Sequence, residues 1–260
     1  MATELRLEAL AWLCECHPEI KAEGVLALSK QVLTIDTTLE IKETLSIPGR
    51  PAKPELVSPL TVEKRSMRTI EGRATLIHAL AHIEFNAINL ALDAIWRFAH
   101  MPETYYRDWL KVAAEEAYHF NLLQTHLKTM GYVYGDFSGH NSLWEMVERT
   151  QEDVLARMAL VPRTMEARGL DASPALRNKL AQAGDTSAAK ILDIILRDEI
   201  GHVAIGNYWF NWLCGQRQLE PMTTFEKLCA EYRAPKLRPP FNMEARRQAG
   251  FSEEELSRLN

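Results

Sequence analysis

The chain has 260 residues, 47% of them hydrophobic and 25% charged, which fits one large globular domain or a domain with sizeable extensions. A formal net charge of −5 excludes a broadly basic surface for nucleic acid, and no run of about 20 apolar residues is present to span a membrane. Cys14, Cys16, Cys214 and Cys229 form no Cys-x-x-Cys pair and no signal peptide is visible, so a cytoplasmic protein with reduced thiols is expected.

Apolar residues at helical spacing predict two short helices over residues 3–16 and 19–31, broken at Pro18. The run Pro48-Gly49-Arg50-Pro51-Ala52-Lys53-Pro54, followed by Pro59, predicts an extended connector. Long helices follow at 68–99 and 102–130, the second with Pro102 in its first turn and Gly131 just past its end. Tyr132–Asn141 reads as a loop. A third helix is expected from Ser142 to Arg168, ended by Gly169, with a shorter helix restarting at Ser173-Pro174 and reaching Ala183. Asp185 looks like the N-cap of a fourth, over 186–214. Beyond Gly215 the prolines at 221, 235, 239 and 240 predict an irregular tail, closed by a short helix at the capping-box pattern Ser252-Glu253-Glu254-Glu255. No strand is predicted. The organisation is therefore all-α: an N-terminal extension and connector (1–60), a four-helix bundle (61–215) and a C-terminal tail packing on it (216–260).

Two Glu-x-x-His motifs carry the chemistry, Glu116-Ala-Tyr-His119 and Glu199-Ile-Gly-His202. A lone glutamate precedes each at nearly the same distance: Glu84 by 32 residues and Glu166 by 33. With 8 histidines in the chain, chance alone supplies about one such motif. Context has to decide. In a hairpin turning near residue 101, Glu84 and Glu116 sit at similar heights, roughly 25 Å from the turn at about 1.5 Å per residue. Their helical neighbours are apolar: Ile77, Leu80, Ala81, Ala87 and Ile88 around Glu84, and Trp109, Val112, Ala113 and Phe120 around Glu116. Leu192, Ile195, Leu196 and Val203 surround Glu199 in the same way. Each acid stands in a stripe that should face the core.

Four buried carboxylates would protonate or unfold the chain unless cations compensate them, and two divalent ions carry the matching charge. With two neutral histidines the donors form a mixed oxygen and nitrogen set suited to iron or manganese. Asp198 and Glu115, each one step before a motif glutamate, are candidates to accept from the outer nitrogen of a ligating histidine, Asp198 the better placed. Glu166 is the least secured of the six, because Arg163 or Arg168 could pair with it at the surface. Glu145, Glu148 and Glu152 on the same predicted helix could replace it. His78 and His82 read as polar positions near a loop partner, and Tyr118 as packing.

The pattern Glu84, Glu116-x-x-His119, Glu166, Glu199-x-x-His202 resembles the ferritin-like superfamily of diiron and dimanganese carboxylate proteins. The stretches EGRATLIHALAHIEFNAINLALDA, VAAEEAYHF, YGDF, VPRTMEARGLD and ILRDEIGHVAIG are similar, more closely, to an uncharacterised bacterial ferritin-like family. A more distant likeness is to tRNA hydroxylases. The resemblance implies that Glu84, Glu116 and His119 hold one metal and Glu166, Glu199 and His202 the other, with Glu116 and Glu199 bridging. It implies a diiron oxidase or monooxygenase using dioxygen, an unidentified electron donor and a small or medium organic substrate. Ferroxidase or iron storage, manganese-dependent peroxide disproportionation and a non-catalytic metal-binding scaffold are the alternatives. A homodimer is possible on the same grounds. RNA binding would rest on Arg233, Lys236, Arg238, Arg246 and Arg247, whose ordinary reading is surface charge.

Overall fold

The computed structural model describes residues 3–43, 45–59, 61 and 65–259; the expected domain boundary at residue 60 lies outside them. The protein is all-α, and its chain divides into two compact units, Met1–Ser142 and Leu143–Asn260.

In the first unit, α1 (Leu5–Cys14) packs on α3 (Ile70–Arg97), and α2 (Pro18–Leu28) packs on α4 (Glu103–Thr129). The helices α3 and α4 form the hairpin anticipated from the sequence. Thr69 starts α3 by accepting from the Gly72 N–H at 3.0 Å. His100 turns the chain with a φ of 62°, and its N–H donates to Thr37 O at 2.6 Å. Gly131, at φ 82°, closes α4 as expected, while the Tyr132 N–H reaches back to Leu127 O at 3.2 Å. Contrary to the expectation of no strand, Thr3–Glu4 and Leu33–Thr34 pair in parallel as β1 and β2, each two residues long.

Two buried basic side chains hold this unit together. Arg6 donates to the carbonyls of Ile95 (3.3 Å) and Trp96 (2.8 Å), which α3 leaves unsatisfied at its C-terminal end. Lys21 donates to Leu13 O and Gly49 O, both at 3.2 Å, and to Asn89 Oδ1, tying α1 and the connector to α3. The proline-rich connector is extended and lies along the Tyr132–Asn141 loop: Val57 N–H donates to Gly139 O at 2.8 Å, and Gly139 N–H to Glu55 O at 2.9 Å.

In the second unit the single helix expected over 142–168 is three pieces: α5 (Ser142–Arg149), α6 (Val154–Leu160) and a π-helical turn (Val161–Glu166). The first break has a visible cause. Buried Arg157 donates to Val147 O (2.7 Å) and Thr150 Oγ1 (2.8 Å), and Asp153 caps the next helix through the Leu155 N–H at 3.0 Å. The second follows from Pro162, which has no N–H for the α-helical ladder. The Ala167 N–H bonds instead to Pro162 O, five residues back, and the Thr164 hydroxyl donates to Ala159 O at 2.8 Å.

Nor does Gly169 end a helix. Helix α7 runs from Ala167 to Gln182, through both Gly169 and Pro174. Pro174 leaves the Leu170 carbonyl without its helical donor, and the Asn242 side chain supplies one at 3.2 Å. Helix α8 (Thr186–Gln216) starts where anticipated, Asp185 accepting from the Ala188 N–H at 2.9 Å. The tail is more helical than the sequence reading held. Glu220 and Pro221 open α9 (Pro221–Glu231), Asn242 caps α10 (Met243–Gln248), and the predicted capping box opens α11 (Glu253–Ser257).

Gly206 on α8 sits where the π turn comes closest. A Cβ added there would fall 2.4 Å from Pro162 Cβ, whereas one added at Gly201 would meet open space. Gly206→Ala should therefore destabilise the protein by about 1–3 kcal/mol, and Gly201→Ala should stabilise it by about 0.5–1 kcal/mol through helix propensity. Denaturant melts of the two variants check this; equal effects would refute the close approach of the π turn to α8.

Candidate metal centre

The first unit brings three residues of ligand type together, and the second carries a Glu-x-x-His pair and a lone buried glutamate. In the first, Glu116 and His119 stand one turn apart on α4, so both project from one face, and Glu84 projects from α3. All three are buried, with Glu84 4% exposed and the other two fully enclosed. His119 Nδ1 lies 3.3 Å from Glu84 Oε2 and 3.4 Å from Glu116 Oε2. One ligand atom from each residue falls within 4.8 Å of the others. These are ion contacts rather than aligned hydrogen bonds, and Glu84 Oε2 makes no hydrogen bond among the described residues.

The electrostatics follow from that enclosure. Burial, with the neighbouring charge of Glu116, pushes the Glu84 carboxyl up to about 8. Burial by itself would lower His119, but the carboxylates of Glu116 and Glu84 override it and push the imidazole up to about 11. The metal-free triad thus retains protons at neutral pH where a cation would otherwise balance the charge.

In the second unit, Glu199 and His202 repeat the spacing on α8, both buried, with His202 Nδ1 3.6 Å from Glu199 Oε1. Glu199 Oε2 is a buried oxygen with no hydrogen bond among the described residues. Glu166 ends the π turn and is 8% exposed, so it is not a surface acid. Arg163, its suspected surface partner, is engaged by Asn207 Oδ1 (2.7 Å) and by Glu255. Glu145, Glu148 and Glu152 are exposed. Pro162 touches the α8 backbone at Gly206, and Glu166 and His202 are likewise equidistant along the chain from the turn at Gly184. In an antiparallel pair of helices this puts Glu166 at the level of His202.

Asp198 and Glu115 each have a basic neighbour on their own helix. Arg197 donates to both oxygens of Asp198 at 2.8 and 3.0 Å, and Lys111 lies 3.8 Å from Glu115. Arg246 is buried and held by Asp171 at 2.6 and 3.0 Å, and Arg247 is paired with Glu244 and Glu253, so two of the five residues in the basic strip are neutralised locally. Tyr118 is exposed.

Sequence reasoning did not single out the aromatic cover beside the first triad. The Tyr134 ring lies 5.6 Å from Phe85 and 5.2 Å from Phe120, the residues that follow Glu84 and His119. His82 Nε2 faces the His140 carbonyl at 3.0 Å and must donate to it, so the Tyr134 hydroxyl donates to His82 Nδ1 at 2.8 Å. Burial pulls His82 down to about 4, keeping it neutral. The Gly135 N–H donates to His78 Nε2 at 2.9 Å. Both histidines thus serve to seat the Tyr132–Asn141 loop on α3, in keeping with the loop-partner reading.

The donor set suits a divalent cation: buried carboxylate oxygens lacking hydrogen bonds, and two histidines that both turn Nδ1 toward carboxylates. Cation binding in the first triad must expel the protons that Glu84 and His119 retain. Folded metal-free protein holds more protons than the unfolded chain above the ordinary carboxyl range, so its stability falls as pH rises from about 4.5 through about 8. Metal affinity runs the other way. The rise in Tm on adding Mn(II) should therefore be larger at about pH 8 than at about pH 6. A pH-independent or inverted increment would contradict the buried-proton account.

An uncharacterised protein of Haemophilus influenzae (strain ATCC 51907 / DSM 11121 / KW20 / Rd) is 51% identical over 233 residues, covering 87% of this chain and 81% of that protein. No solved structure matches. No described helix is long and apolar enough to cross a membrane. A family model described as "Protein of unknown function (DUF455)" matches residues 14–257, and the chain belongs to that family.

Proposed function

We propose that the two triads bind two metal ions, iron by preference, and that the protein is an oxidoreductase of the ferritin-like kind, an oxidase or monooxygenase acting on a small or medium organic substrate. Glu84, Glu116 and His119 hold one ion; Glu166, Glu199 and His202 hold the other. The observation that carries this reading is the repetition, in each unit, of a buried Glu-x-x-His pair whose histidine turns Nδ1 toward carboxylate. One such pair is a coincidence of helix spacing. Two, each with a lone buried glutamate nearby, match the ligand arithmetic of dinuclear carboxylate proteins.

When bound, such a pair supplies redox chemistry toward dioxygen. The chain's own residues do the rest. The carboxylates offset the cationic charge, and the burial of Glu84, Glu116 and His119 keeps bulk water from the first triad, which strengthens every charge interaction there.

Protein expressed with iron supplied should carry about two ions per chain and consume dioxygen when given a chemical reductant. Glu116→Ala and His202→Ala should each lower that consumption by at least about 100-fold while the helical spectrum is retained. Well-folded protein that takes up no metal would sink the proposal. Manganese alone, with turnover of peroxide, would replace iron and the oxidase reading with the disproportionating one.

A further inference from the structure

The π turn that carries Glu166 is held from outside by a charge the metal reading does not use. Arg163 sits in the turn, and its side chain is 2% exposed. Its guanidinium lies 4.9 Å from the ring centre of Phe210 and 4.8 Å from those of Phe225 and Phe251. One nitrogen donates to Asn207 Oδ1 at 2.7 Å, and the other pairs with Glu255. Burial pulls the guanidinium down to about 10, still fully charged at neutral pH.

Both of its partners are themselves anchored. Asn207, next to Gly206 on α8, donates through Nδ2 to Ala249 O at 2.7 Å. The second oxygen of Glu255 accepts from the Ser252 N–H at 2.7 Å in the capping box of α11. The tail is thereby clamped to the π turn three residues before Glu166. A π turn is a rare conformation, and Pro162, which interrupts the α-helical ladder, does not by itself fix how the residues after it are wound. Rewinding it would rotate Arg163 out of its aromatic enclosure and strand a buried charge, which is strongly unfavourable. Arg163 therefore selects the winding that aims Glu166.

We propose that Arg163 is a positioning residue for Glu166, and that Glu255 on α11, acting through Arg163, makes the second metal site conditional on the docked C-terminal tail. This rests on the reading of Glu166 as a ligand. It assigns to the tail a control over metal occupancy that leaves the first triad untouched.

The test is Mn(II) titration of metal-free full-length protein, with stoichiometry and both affinities read by calorimetry. Wild type should take up two ions. Arg163→Met, which keeps contact with the three rings, and Glu255→Gln, which keeps the capping geometry, should each weaken one of the two sites by at least about tenfold and spare the other. Leu180→Ala, a buried truncation elsewhere in α7, should lower Tm comparably while leaving both affinities intact, since a purely structural role would predict the same loss in all three. If Arg163→Met fails to fold, Glu255→Gln carries the test alone. Two unchanged sites in the variants, or equal loss in Leu180→Ala, would overturn the proposal while sparing the metal reading. Wild type that takes up no metal would sink both.

Discussion

Burying a carboxylate is costly unless its charge is compensated, and this fold encloses four glutamates at its candidate site: Glu84, Glu116, Glu166 and Glu199, none more than 8% exposed. Everything around them follows from that constraint. In the first unit, the metal-free state meets it by retaining protons on Glu84 and His119. A divalent cation would meet it differently, by supplying positive charge to which the carboxylate oxygens donate their lone pairs. The helices supply the precision. Three residues is nearly one turn, so a glutamate and a histidine at that spacing project together from a stiff rod.

The two units hold their candidate ligands by different means. The first rests on a regular hairpin: Arg6 satisfies carbonyls at the end of α3, and Lys21 ties α1 and the connector to Asn89 within it. The second reaches its lone glutamate through an irregular stretch: a proline, a π turn and a glycine that lets the turn approach α8. The tail then contributes side chains that complete broken backbone ladders, as Asn242 does for Leu170, and that enclose the guanidinium of Arg163. Irregular backbone is thus concentrated beside Glu166, whereas the other lone glutamate, Glu84, stands on a regular helix.

Much of this was legible in the residues. Periodicity located α3, and periodicity with boundary residues located α4 and α8, to within a few positions, because Pro102, Gly131 and Asp185 act locally. The apolar stripes around Glu84, Glu116 and Glu199 anticipated their burial. What could not be read was non-local. The helix read over 142–168 runs through Pro162, which breaks it, whereas Pro174, read as a restart, breaks nothing, and the Asn242 side chain, far along the chain, supplies the donor that Pro174 lacks. Likewise Arg163 looked like a partner for Glu166 because it is near in sequence, whereas its ion-pair partner is Glu255. The segments that read as irregular after Gly215 hold helices started by Glu220 and Asn242, caps that were present in the sequence but masked by a high density of proline.

The central claim is that the buried glutamates are metal ligands. Anomalous diffraction from crystals, recorded on either side of the iron and manganese absorption edges, tests it most directly. The account predicts two anomalous peaks per chain, one beside His119 Nδ1 and one beside His202 Nδ1, with Glu84, Glu116, Glu166 and Glu199 coordinating. Crystals grown with metal supplied that give no peak at either edge, or a peak away from both histidines, would contradict it.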